Sequence, residues 1–147
     1  MKVVVQRVSE ASVKIGGNVV GQIGKGYLLL VGFTHTDTEE TTRYLANKIL
    51  KLRVFPDLSG KLNLSIQDVG GNILSVSQFT LYGDTSDGNR PSFTQAMNPT
   101  SAKSLYERFN RILEELLGKK IETGQFQEEM AVSLVNDGPV TILMERG

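Results

Sequence analysis

Tyr27-Leu28-Leu29-Leu30-Val31-Gly32-Phe33 is apolar at alternate positions and at the positions between them. A strand that is apolar on both faces belongs at the buried centre of a sheet. Upstream, Lys2–Val8 and Ala11–Ile15 read as two strands rich in β-branched residues, and Gly16-Gly17-Asn18 is a turn before a third run, Val19–Ile23. That spacing predicts a meander of hairpins feeding the central strand. Downstream, Thr36 or Asp37 is the expected N-cap of a helix, with Glu39 or Glu40 completing a capping box. Leu45, Ile49 and Leu52 then recur at helical spacing, so an amphipathic helix is predicted from about Thr38 to Leu52.

Farther out, Arg53-Val54-Phe55 leads into the turn Pro56–Gly60. Gly70-Gly71-Asn72 breaks the chain before a longer strand expected over Ile73–Tyr82, and Gly83–Ser92 reads as an exposed polar loop. Asn98 and Pro99 are an N-cap and a first-turn proline. The second helix they open carries Ala102, Leu105, Tyr106, Phe109, Ile112, Leu113 and Leu116 on one stripe, with Gly118 as its stop. Met130–Val135 and Val140–Met144 are two further apolar runs around Asn136-Asp137-Gly138-Pro139. The expected architecture is one α/β domain over residues 1–147: a mixed, largely antiparallel sheet system with two amphipathic helices.

Composition narrows the function. With 147 residues the chain is long enough for one real core. Its 16 Lys+Arg balance 16 Asp+Glu, so a broad grip on nucleic-acid backbone is not expected, whereas reading one exposed nucleotide end is compatible. Cysteine is absent, which removes disulfides, thiolate nucleophiles and thiolate metal ligands together. The opening Met1–Arg7 has no long apolar signal region and no run approaches a membrane span, so a soluble cytoplasmic protein without membrane contact is expected.

The chemistry is reached first by elimination. His35 is the single histidine and reads as an exposed loop residue near a helix N-terminus, in preference to a catalytic base. No G-x-S-x-G serine accompanies it, and scattered carboxylates leave no metal site, so neither metal nor cofactor is expected. Gly21–Gly26 has the glycines of a phosphate loop but lies between strands, where a turn is the better reading. Two segments stand out. Ser77-Gln78-Phe79-Thr80-Leu81, read as a strand, would put Ser77, Phe79 and Leu81 on one face and Gln78, Thr80 and Tyr82 on the other. Pattern alone favours a half-buried strand there. Asn136-Asp137-Gly138-Pro139-Val140-Thr141 is by pattern a hairpin turn, with a proline oddly placed where a strand should begin.

Together the two segments resemble the D-aminoacyl-tRNA deacylase family, whose motifs SQFTL and NxGPVT stand at Ser77–Leu81 and Asn136–Thr141. Val4-Val5-Gln6-Arg7-Val8 and Gly88-Asn89-Arg90-Pro91-Ser92-Phe93 fit the same pattern, and the likeness runs from the first strand to the last. One departure is visible: Phe126-Gln127-Glu128-Glu129 precedes Met130 where family members tend to show Phe-Gly-Ala.

The resemblance implies a homodimeric hydrolase that frees D-amino acids, and also glycine, from the acceptor end of tRNA. It implies a cis Gly138-Pro139 peptide that enters the partner's site as a filter against L-residues, held across the interface by Arg7. Phe79 and Thr80 would supply backbone amides to the oxyanion, Ser77 and Gln78 would shape that strand end, and Met130 with Phe126 would line an adenosine pocket. A threonine with no adjacent base is a poor nucleophile, so hydrolysis assisted by the ribose 2′-OH is preferred to a covalent Thr80 ester. Two alternatives stay open: a freestanding editor of L-aminoacyl-tRNA, and a non-catalytic binder of RNA ends or small ligands.

Overall fold

The computed structural model describes residues 1–147. Its elements in chain order are β1 (Lys2–Ile15), β2 (Asn18–Ile23), β3 (Gly26–Gly32), α1 (Glu39–Lys51), β4 (Phe55–Pro56), β5 (Leu62–Leu64), β6 (Asn72–Ser77), a 3-10 turn (Phe79–Tyr82), α2 (Pro99–Leu117), β7 (Glu122–Thr123) and β8 (Ala131–Glu145). β1 is the spine. One of its edges pairs antiparallel with β3 along Lys2–Val8 and then with β2 along Ala11–Ile15, while the other pairs with β8 almost throughout. β3–β6 and β6–β7 are parallel, so the sheet is mixed, and β4–β5 is a separate two-stranded ribbon. The α/β architecture with two helices is as the sequence predicts.

Tyr27–Phe33 is buried from both sides. Tyr27, Leu29, Val31 and Phe33 join Val3, Val5 and Ile73 in a core of 21 buried residues under both helices. Leu28 points the other way, into a core of seven with Val8, Ala11, Val13, Ile23, Leu74 and Val76, made by the strands alone. Alternation along one strand thus serves two cores.

Four expectations need correction. Lys2–Val8 and Ala11–Ile15 are one continuous strand, because β8 carries β1 past the polar Ser9 and Glu10 while its other edge changes partner. The hairpin expected at Asn136–Pro139 does not form: both flanking runs belong to β8, whose long-range ladder with β1 prevails over the local turn signal. Gln6 pairs with Thr141 and Val8 with Asn136, so Arg7 alone faces the bulge Asp137–Val140. The Ile73–Tyr82 strand stops at Ser77, its last pairing with Val31. Gln78 N–H still donates to Val31 O at 2.7 Å, after which the chain coils through Leu81 N–H to Gln78 O at 3.2 Å, so the two-face alternation beyond Ser77 is not realised.

Finally, the first helix is capped by Thr38, whose capping-box partner is Thr41. Asp37 is drawn inward instead. Its Oδ1 lies 2.7 Å from the Met1 ammonium and its Oδ2 accepts Thr34 N–H at 2.7 Å. A buried ammonium needs a counter-charge, and Asp37 supplies it. The second helix follows the sequence: Asn98 Oδ1 accepts Ser101 N–H at 3.0 Å, and Gly118 closes the helix at φ 79°.

Candidate active site

A cavity of about 760 Å³ opens where β6 gives way to the 3-10 turn. Ser77, Gln78 and Phe79 form one wall, and Phe126 and Met130 contribute to the lining from the segment before β8. The sequence therefore names five residues that the fold brings together. Phe93 also lines the cavity, packing edge-on against Phe79 with ring centroids 5.1 Å apart. Phe79 is 58% exposed, so an aromatic pair sits open to solvent beside the cavity. Phe93 belongs to the Gly88–Phe93 segment that marks the resemblance, but no site role was expected for it. Beyond that segment, an aromatic at the end of a polar loop was its one signal.

The turn is held from three sides. Gly32, at the end of β3, lies so close that a Cβ there would be 2.9 Å from Gln78 O and 3.2 Å from Leu81 Cβ. Lys2 Nζ donates to Leu81 O at 3.3 Å and lies 4.7 Å from the Tyr82 ring centroid. Gly83 N–H donates to Thr80 O at 2.9 Å. The opening amides of any helical turn have no intrahelical acceptor. Phe79 and Thr80 occupy those positions, so neither N–H has an acceptor within the turn. The Thr80 hydroxyl is engaged separately, accepting from Gln78 Nε2, and Thr80 is not among the cavity-lining residues.

Arg7, Gly138 and Pro139 form a second group that does not line this cavity. Arg7 is 7% exposed; its Nε donates to Asp137 O at 2.9 Å and its Nη1 to Val54 O at 2.5 Å. This grip on the bulge runs within one chain. Gly138 takes φ +128°, and a Cβ there would come within 2.7 Å of Arg7 Nη2, so both backbone and space call for glycine. The Gly138-Pro139 peptide is cis. Both residues are exposed, as are Val135 and Leu143 along the same strand, and the outer edge of β8 pairs with no other strand.

The departure at residues 126–129 has a local account. Gln127 has φ +64°, the single non-glycine residue with positive φ. A glycine at that place needs no special reason. Glu128 and Glu129 line the cavity beside it and add carboxylates at an exposed rim. Behind Phe126, Tyr106 donates to Ser75 O at 2.7 Å, and burial pushes its hydroxyl pKa up. His35 is exposed, with Nε2 2.6 Å from Thr94 O, and is not part of the cavity lining. No three His, Asp or Glu side chains gather in a way that would hold a metal ion. No helix is long and apolar enough to cross a membrane.

The family model described as D-Tyr-tRNA(Tyr) deacylase matches residues 4–145. The chain belongs to that family. A D-aminoacyl-tRNA deacylase of an Exiguobacterium species is 59% identical over 146 residues, covering 99% of both chains. One from Bacillus velezensis is 57% identical over 145 residues, covering 99% of this chain and 98% of the relative. Among solved structures, a c-Myc DNA unwinding element binding protein superposes with TM-score 0.95 at 42% identity, covering 100% of this chain and 99% of the other. A probable eukaryotic D-amino acid tRNA deacylase matches with TM-score 0.86 at 17% identity over 97% of each chain, a likeness of fold alone.

Proposed function

We propose that this protein hydrolyses the ester of D-aminoacyl-tRNA, and of glycyl-tRNA, releasing free amino acid and tRNA. The observation that carries the reading is the 3-10 turn, which begins with Phe79 and Thr80 beside a cavity large enough for a terminal nucleoside. The terminal adenosine would lie against Phe126 and Met130, with the ester carbonyl directed at the Phe79 and Thr80 amides. Water adds to that carbonyl, helped by the neighbouring ribose 2′-OH. The oxyanion is held by the two amides, the acyl C–O bond breaks, and the ribose 3′-oxygen leaves carrying a proton. A single oxyanion donor of this type is worth about 2.7–4 kcal/mol in other enzymes. Ser77 and Gln78 shape the wall, and Gln78 also fixes the Thr80 side chain. That engagement by a carboxamide, which cannot take the hydroxyl proton, supports the amides over a covalent threonine ester.

Selection by handedness would fall to the Asp137–Val140 bulge of a second subunit. Arg7 holds the bulge away from its own cavity, on the exposed strand β8, where another copy can receive it. Carbonyls of Gly138-Pro139 would accept the substrate's α-ammonium and wall off the space an L side chain needs, while a D side chain or glycine passes. Cytoplasmic tRNA is the substrate this reading requires. The test is ester loss from D- and L-tyrosyl-tRNA, with mass in solution measured alongside. Selective cleavage of the D-ester by a dimer is expected. Cleavage of the L-ester at equal rate would instead indicate an L-editor, and loss of neither ester a mere binder.

A further inference from the structure

A second concavity, about 650 Å³, runs along the outer face of α1 and is not part of the cavity at the 3-10 turn. Arg43, Lys48 and Lys51 line it from the helix, and Arg146 from the chain beyond β8. Glu40 is its single carboxylate, so four cations stand against one anion on a chain whose formal charge is +0. Lys48 and Lys51 sit in the last turn of α1, where the helix dipole favours cations. That accounts for two of the four. It does not account for Arg146, which comes from another element and stacks over Tyr44 with its guanidinium carbon 3.9 Å from the ring centroid. No carboxylate lies within 4.0 Å of Lys48, Lys51 or Arg146, and Arg43 shares Glu39 with Arg108. Most of the cleft's positive charge is therefore uncompensated.

The cleft is tied to the catalytic end of the molecule. Phe33 lines the cavity at the 3-10 turn and Thr38 lines the cleft. Five residues of chain span at most about 18 Å, so a lining residue of each concavity lies within a few nucleotides' length of the other. An RNA whose last nucleotide occupies the cavity carries phosphates that must leave it somewhere. We infer that this cleft receives backbone phosphates of the tRNA substrate, with Arg43, Lys48, Lys51 and Arg146 as their partners. The inference rests on the deacylase reading and adds a second contact to it. Such phosphate contacts position the RNA and carry no sequence preference. With four cations the footprint stays small, in keeping with zero net charge.

The test is the exposed double variant Lys48→Gln/Lys51→Gln. Dissociation of uncharged tRNA is measured across salt concentrations, and hydrolysis is measured on both D-tyrosyl-tRNA and 3′-D-tyrosyl-adenosine. The slope of log affinity against log salt should fall by about 1.4–1.8, since each lost phosphate contact removes roughly 0.7–0.9. KM for D-tyrosyl-tRNA should rise about five- to tenfold, with kcat and the rate on the adenosine ester unchanged. Lys48→Arg/Lys51→Arg should restore both slope and KM. An unchanged slope and KM, in a protein that still cleaves both D-esters, overturns the cleft and leaves the deacylase reading intact. A protein that binds tRNA through the cleft but cleaves neither ester overturns the deacylase reading and keeps the cleft.

Discussion

Replacing Gly32 with alanine puts one methyl group against the 3-10 turn at Phe79–Tyr82, and the structure sets the size of the effect. The new Cβ would meet the backbone oxygen of Gln78 at 2.9 Å, where ordinary contact begins near 3.4 Å. Its second neighbour, Leu81 Cβ at 3.2 Å, belongs to the same turn, so the turn as a whole must retreat by roughly half an ångström. Overpacking of this kind costs about 1–3 kcal/mol of stability. In the proposed mechanism the larger consequence is chemical, because oxyanion donors act only at about 2.7–3.1 Å and the Phe79 and Thr80 amides move with the turn. Losing about half of one donor's contribution, roughly 1.4–2 kcal/mol, lowers kcat by about ten- to thirtyfold. KM for tRNA should hold, since neither Phe126 nor Met130, the proposed adenosine contacts, is touched. Single-turnover ester loss at saturating enzyme, paired with urea denaturation, separates rate from folding. Gly24→Ala is the control, because its nearest neighbour is Ser9 O at 4.0 Å. A folded Gly32→Ala protein with wild-type turnover would refute the placement of catalytic amides in this turn.

Thr80→Val keeps the amide and loses the hydroxyl, so it should retain at least about a tenth of wild-type kcat, whereas replacing the terminal ribose 2′-OH by hydrogen should lower the rate by more; a dead but folded valine variant that still binds tRNA argues for the hydroxyl. Gln127→Gly relieves a left-handed conformation and should raise the denaturation free energy by up to about 1 kcal/mol, read from the urea midpoint; a lower midpoint contradicts the account of φ +64°. Burial, the largest cause in each case, raises the hydroxyl pKa of Tyr27, Tyr82 and Tyr106. Because the folded values exceed the unfolded value of about 10, this contribution is complete below that pH and is lost as pH rises above it. Thermal midpoints should therefore fall from about pH 10 upward, less steeply in Tyr82→Phe; a wild-type midpoint flat to pH 11 would count against it.

Local signals carried the helices and the central strand. Leu45 and Ile49, or Phe109 and Leu113, report helical spacing within one turn, and Asn98 and Gly118 mark ends by chemistry confined to a few residues. Tyr27–Phe33 announces its two-sided burial in its own composition. What the sequence pattern missed was decided by partners far along the chain. Ser9-Glu10 and Asn136–Pro139 look like breaks until each is seen to be braced by the other strand. Asp37 resembles a cap, and only the arrival of the Met1 ammonium reassigns it. Ser77–Leu81 alternates like a strand, but β3 runs out at Gly32 and leaves it nothing to pair with. That Phe79, Gln78, Phe126 and Met130 share one cavity was legible through the family resemblance alone, because no pattern of theirs separates a cavity wall from a half-buried strand. Phe93 stood inside a matching segment, Gly88–Phe93, with no role attached to it.

The β1–β8 ladder has a consequence for biosynthesis. Arg7 and the Asp137 carbonyl it holds are 130 positions apart, so one edge of β1 waits for its neighbour until almost the whole chain has been made. At 5–20 residues per second that interval is roughly 7–26 s. During it β1 is an apolar strand with an open edge, a template for pairing with other nascent chains. Its other edge is covered early by β2 and β3, which follow within 32 residues of the start. The hairpins thus act as a temporary guard on one side, while the opposite side depends on the speed of translation and on the spacing of ribosomes along the message. A slow stretch of codons between α2 and β8 would lengthen that exposure, and aggregation during expression would rise even though the finished protein is unchanged.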